Sequence, residues 1–353
     1  MTDLAVERKQ KIIAAYHVPT TIPALRSVLE AIPEPKVLVI EEGPSADWLY
    51  RNLRTSVNEM VVCDPRRNRL ITDDGDKDNP IDARKLAELL RGGHLRAVHH
   101  SDSPDQVVLK EWVSLYGDRV RQGVREINKI RGRLRMYGVR APRGALSNAR
   151  IRAAWLAGLE ARSLAGQLEV LLLGRDTAVQ QVQQAKRELG RLAGRYAIVG
   201  RWRELPGVGL IRAATLLAYL DTPWRFRGEK ALWKYCGVGL LRFASGTDRR
   251  GRPKAGKLRL PWAVNRRLKD AVRGAAISAI HAGNNVFSES SAERIRRGLP
   301  PGNARRSTAR KMLSVMWGMW KTGSRFDPQR VRDRPCQKQQ QRVLKETTCP
   351  DRD

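Results

Sequence analysis

Cysteine and histidine are scarce in this chain of 353 residues, which has four Cys and five His. Cys63, Cys236, Cys336 and Cys349 lie far apart, with no Cys-x-x-Cys pair among them. That spacing argues against a structural zinc site and a disulfide framework, and it fits a reducing compartment. Long hydrophobic runs are also missing. The run Val37–Ile40 falls far short of the about 20 apolar residues that a membrane span needs, and no lipidation motif is present. The expectation is a cytoplasmic protein that does not enter the bilayer. Acidic residues are few, with 36 Asp and Glu against 67 Lys and Arg, a formal net charge of +31. Charge of that size opposes compaction and calls for a polyanionic partner. Nucleic acid leads, and an anionic membrane surface is the rival.

What is present suffices for real cores, since 41% of the residues are hydrophobic. The length suggests two or three domains. Residues 20–32 have the pattern of a helix, followed by a strand in KVLVIEEGP, a helix around WLYRNLR, a strand in EMVVCDP at 59–65 and a helix ending near Leu90. This alternation predicts an α/β layer with parallel strands. Carboxylates follow the strand ends, Glu41 and Glu42 after the first and Asp64 after the second, on the edge where open α/β sheets form sites. Residues 104–138 read as helical. Residues 148–198 predict a helical hairpin or coiled-coil arm interrupted near Gly174. The polar stretch after about 330 reads as a disordered tail.

The stretch DGDKDNPIDARKLAELL at 74–90 admits two readings. Asn79 suits a helix N-cap, Pro80 the first helical position, and Asp82 the capping-box position. Alternatively Asp78 and Asp82 converge as hard oxygen ligands for Mg²⁺, joined by a carboxylate from elsewhere.

From about 205 the character changes. LPGVGLIRAATLLAYL resembles a helix-hairpin-helix element, in which Gly207 and Gly209 let turn amides approach a phosphate. The following stretch is rich in Gly and Arg, with Trp233, Tyr235 and Phe243 interleaved, and Asp248 is its only acid from Phe243 to Arg267. Arg242, Arg249, Arg250, Arg252, Lys254 and Lys257 form a candidate nucleic-acid surface. Ser245-Gly246 stands inside it. Local chemistry allows a turn former or a nucleophile whose phosphate the guanidiniums hold.

In order, VLVIEEGPSADWLY, KDNPIDARKLAELL, a helical arm, LPGVGLIRAATLLA, and SG…R followed by NRRLKDAVRGAA resemble the transposases of the insertion-sequence "one-hundred-and-ten" family. The resemblance covers about residues 5–330. It implies a RuvC-like (RNase H-like) α/β domain at 1–140, a coiled-coil arm at 148–198, a mainly α transposase domain at 199–330 and a tail at 331–353.

It further implies a DNA transposase or recombinase, bacterial and nucleoid-associated, working as a dimer or tetramer by serine- and Mg²⁺-dependent phosphoryl transfer, with a bridge RNA as guide in the family. Ser245 would be the nucleophile, with Glu41 (or Glu42) and Asp82 catalytic and Asp78 and Asn79 beside them at the metal. Two departures stand out. Asn79 occupies the third tetrad position, and no strand bearing the first Asp precedes Glu41, so LAVERKQKIIAAYHVPTT reads as the family's second and third strands. The alternatives are a non-catalytic nucleic-acid-binding copy and a RuvC-like nuclease that uses water.

Overall fold

A computed structural model describes residues 1–65, 78–243 and 257–332. Contacts divide the chain into two compact units, Met1–Val107 and Val108–Asp353. The division falls within one continuous helix, whereas the sequence places a domain edge near 140.

The first unit opens with an antiparallel hairpin of β1 (Thr2–Arg8) and β2 (Lys11–Val18). Its two-residue loop, Lys9-Gln10, holds both residues at positive φ, 49° and 69°, as the strand twist requires of so tight a turn. Helix α1 (Ile22–Ala31) leads to β3 (Val37–Glu41), then α2 (Ala46–Leu53) and β4 (Glu59–Cys63). β3 and β4 are parallel, with Glu41 opposite Cys63, as the alternating pattern predicts. Residues 96–98 run antiparallel beside β4 through Val98 N–H to the Val62 carbonyl at 2.7 Å. Leu25, Leu29 and Leu53 form a small core with Leu4, Val18, Leu38 and Met60, so α1 and α2 cover both strand pairs. Helix α3 (Asn79–Arg91) lies along β1 and also touches β3.

In the second unit the long helix α4 (Pro104–Met136) pairs with α6 (Arg162–Ala193). Arg119 Nη1 donates to Gln181 Oε1 at 3.2 Å, Gly123 faces Ala178, and Gly174 faces Glu126. As one number rises the other falls, so the pair is antiparallel. The arm expected within 148–198 is therefore half of a hairpin whose other half is 104–136. The expected break near Gly174 does not occur. One glycine costs a helix about 1 kcal/mol, too little to break one, and a Cβ here would meet Glu126 only at an ordinary contact distance of 3.8 Å.

A short helix α5 (Ala149–Ala157), capped by the Asn148 side chain, closes the tip over Ile130, Leu134, Leu164, Leu168 and Leu172. Arg152 of α5 donates to the Ala145 and Leu146 carbonyls and pairs with Asp176, which also accepts from Arg175 Nη1 at 2.7 Å.

Beyond the arm come α7 (Ala197–Trp202), α8 (Leu210–Leu220), α9 (Glu229–Tyr235), the short hairpin of β5 (Leu241–Phe243) and β6 (Lys257–Arg259), then α10 (Arg266–Ala282), α11 (Val286–Arg296), α12 (Pro301–Thr322) and α13 (Pro328–Val331). Buried Ala271, Ala275, Ala276 and Ala279 line α10, which packs on α8, α11 and α12. Trp202 is fully buried and donates Nε1–H to the Met316 carbonyl at 2.8 Å, so the largest core side chain leaves no polar group unmet. Among the described residues no helix is long and apolar enough to cross a membrane.

Burial alone would raise the Asp176 carboxyl, but hydrogen bonds and charge from Arg152 and Arg175 outweigh it and hold the group below its ordinary value. Its contribution to stability is therefore present above the unfolded pKa of about 3.9 and lost as pH falls through the lower folded value. Asp176→Asn should lower the melting temperature at pH 7, and the gap from the wild type should shrink as pH falls below the unfolded value of about 3.9. A gap that does not depend on pH would show that the ion pairs do not hold the tip.

Candidate active site and nucleic-acid interface

Glu41 closes β3 and is exposed, and Glu42 follows it, donating its backbone N–H to the Cys63 carbonyl at 2.9 Å. Asp64 follows β4, its N–H on the Arg96 carbonyl at 3.3 Å. The parallel register thus brings Glu41, Glu42 and Asp64 to one sheet edge, as sequence order suggests.

Helix α3 begins differently from the expectation. Its N-cap is Asp78, in extended backbone, with Asn79 and Pro80 as the first two helical residues. The Asp78 carbonyl accepts the first helical bond, from Asp82 N–H at 3.0 Å, and the Asp78 side chain makes no cap bond. The one-place shift has a simple reason. Proline fits the second helical position as well as the first, because neither N–H has an intrahelical partner. Asn79 is exposed, and Asp82 sits half-buried in the first turn.

Among the described residues no three His, Cys, Asp or Glu side chains converge as a metal site. Glu41 and Asp82 offer carboxylates and Asn79 a neutral oxygen. These are hard donors of the kind that hold a divalent cation jointly with substrate phosphates, rather than a closed protein cage.

In the second unit, β5 and β6 pair Phe243 with Lys257 and Arg242 with Leu258. Phe243 and Lys257, which flank residues 244–256 in sequence, thus stand opposite one another. Ser245, Arg249, Arg250, Arg252 and Lys254 lie outside the described residues, as does the side chain of Lys257. Arg242 and Phe243 are exposed beside the segment. Trp233 and Tyr235, read from sequence as part of the surface, belong to α9 and pack partly against the core. Arg225 lies over the Tyr235 ring at 4.4 Å.

The turn Pro206–Gly209 joins α7 to α8 as a helix-hairpin-helix would. Its glycines divide the work. Gly207 has φ of +80°, and a Cβ there would stand 2.3 Å from the Ala275 carbonyl oxygen and 2.7 Å from the Ala279 nitrogen. Its carbonyl accepts from Arg212 Nη1 at 2.6 Å, and the same nitrogen reaches Ser278 Oγ at 3.0 Å. Gly207 is thus fixed by close packing on α10, a demand the PGVG motif does not itself display. Gly209 is the exposed N-cap of α8, with no side-chain cap and nothing within 4 Å of its Cβ position. The open N-terminal amides of α8 are the part of the motif that suits a phosphate.

Two family models match the chain. The model described as "Transposase IS116/IS110/IS902 family" covers residues 201–292, and a DEDD-type transposase model covers 2–138. The chain belongs to this transposase family. The first-unit strands and α3 fall within the transposase's DEDD match, and segment 244–256 falls within the other. Among curated proteins none matches the transposase.

Gly207→Ala should destabilise the transposase by about 2–4 kcal/mol, from overpacking against α10 and left-handed backbone strain. Gly209→Ala should cost about 1 kcal/mol or less. Chemical denaturation of the two variants tests this, and equal losses would refute the packing role of Gly207.

Proposed function

We propose that this transposase moves an insertion sequence as a DNA recombinase, with Ser245 as nucleophile. The observation that carries the reading is the place of Ser245 within the transposase match, in an Arg-rich segment whose ends β5 and β6 pin together. The Ser245 hydroxyl oxygen would attack a backbone phosphorus. One P–O bond to sugar breaks as a phosphoserine ester forms, the hydroxyl proton leaves to a base, and the freed sugar oxygen takes up a proton. A sugar hydroxyl of another strand then displaces the serine. Arg242, Arg249, Arg250 and Arg252 would hold the phosphate and stabilise the charge that develops on it.

Glu41, Asp82 and Asn79 would hold Mg²⁺, which when bound would supply stabilisation of charge on a substrate phosphate. Asp78 serves that edge by starting α3 and placing Asp82 in its first turn. A guide RNA as second partner rests on the family resemblance alone. Assembly into an oligomer through the arm is supported by Val170 and Leu173, large apolar side chains exposed on α6.

A second reading, a copy that binds nucleic acid without reacting, is favoured by Asn79 at a position where the tetrad has a carboxylate. Incubation with insertion-end DNA, followed by denaturation and electrophoresis, separates the two. The recombinase reading predicts a covalent protein–DNA adduct that Ser245→Ala abolishes while DNA affinity stays within about threefold, because the phosphate-binding arginines remain. An adduct that survives Ser245→Ala overturns the serine role, and no adduct with the wild type supports the non-catalytic reading. Light scattering of the same preparation should give a mass above one chain, and a single-chain mass would contradict assembly through the arm.

A further inference from the structure

Helix α12 buries one face, with Ala304, Thr308, Ala309, Met312, Leu313, Met316 and Met319 in the core. Beside that face, Arg306, Arg310, Ser314, Trp317 and Lys321 recur at three- and four-residue spacings and so share one narrow stripe. At about 1.5 Å per residue the stripe is about 22 Å long.

The cations on it are held by rings and neutral oxygens. Arg306 Nη1 donates to Asn303 Oδ1 at 2.8 Å, and Arg310 Nη2 to Ser307 Oγ at 3.2 Å. The Arg310 guanidinium lies 5.8 Å from the centre of the Trp233 ring, itself fixed by Nε1–H donation to Ser314 Oγ at 3.0 Å. The Lys321 ammonium stands 3.7 Å from the Trp317 ring centre and 5.0 Å from that of Trp224. Burial, then the neighbouring guanidiniums of Arg306 and Arg294, push Arg310 below its ordinary value. Like charges are thus crowded at this end of the stripe, and a bound anion would relieve them.

Trp224 stands at the other end. It is 71% exposed yet firmly mounted, because its short turn is capped by Thr222 and the Pro223 carbonyl accepts Trp317 Nε1–H at 2.8 Å. Lys321 occupies one side of the indole.

We propose that this stripe binds a single-stranded segment of nucleic acid, with backbone phosphates on Arg306, Arg310 and Lys321 and an unpaired base stacked on Trp224. A line of cations about 22 Å long reaches several successive phosphates of an extended strand. An exposed, rigid indole at its end favours an unpaired strand, since bases inside a duplex offer no free face. The site lies apart from segment 244–256 in sequence and needs neither Ser245 nor a metal ion.

The test uses the full-length protein and labelled strands of about twelve nucleotides, read by fluorescence anisotropy. Trp224→Ala should weaken binding of the single strand about 5- to 100-fold and binding of the matching duplex by less than about twofold. The wild type should prefer the strand to an abasic version by a similar factor, a comparison that requires no substitution. Arg306→Gln and Lys321→Gln should each reduce the slope of log K against log salt by about 0.7. Unchanged single-strand affinity in Trp224→Ala, equal weakening of strand and duplex, or equal competition by polyglutamate would overturn the proposal. Because no step of chemistry is read, its failure would leave the recombinase reading standing, and the reverse holds too.

Discussion

The second unit depends on the contact between Gly207 and the backbone of α10. Only a residue without Cβ can stand there, and only small residues on the facing helix allow the approach, which is why α10 presents Ala275 and Ala279. Arg212 locks the contact by joining the Gly207 carbonyl to Ser278. With the turn fixed, α8 lies against α10, and α10 in turn supports α11 and α12. The positions of the open α8 N-terminus and of the aromatic-mounted cations on α12 both follow from this packing.

The excess of positive charge is not all available to a partner. Arg152 is committed to Asp176 and two carbonyls, Arg212 to the turn, and Arg225 to the Tyr219 carbonyl and the Tyr235 ring. These guanidiniums act as donors that satisfy carbonyls inside the fold, a task their fork of N–H groups suits. Arg306, Arg310 and Lys321, by contrast, meet rings and neutral oxygens among the described residues. The formal charge of +31 thus overstates what the surface offers a polyanion. Cys236 shows the same division between interior and surface, since burial pushes its thiol far above the ordinary range and makes it a packing residue.

Much of the first unit was legible in the sequence because its signals are local. The apolar run at Val37–Ile40, the Pro and Gly punctuation and the carboxylates after each strand mark the parallel pair and its edge directly. The start of α3 was misplaced by one residue, because Asp78 and Asn79 are equally good caps and Pro80 is tolerated at either of two positions. The pattern at 148–198 predicts a hairpin or coiled-coil arm of its own, because sequence shows that a helix is amphipathic without showing its partner. The pairing of Gly123 with Ala178, across more than fifty residues, has no local signature. The α12 stripe went unread for the same reason: Trp233 and Trp224 reach it from other elements. Gly207 was visible as a glycine needed for a turn, but its demand for space comes from Ala275 and Ala279.

The account rests on one claim above the others, that the surface charge of this transposase exists to neutralise nucleic-acid phosphates. The slope of log K against log salt for duplex DNA tests it most directly. Six to ten phosphate contacts predict a loss of about 10³–10⁵ in affinity between about 50 and 200 mM salt. A slope near zero would contradict the account and point to a partner recognised without counterion release.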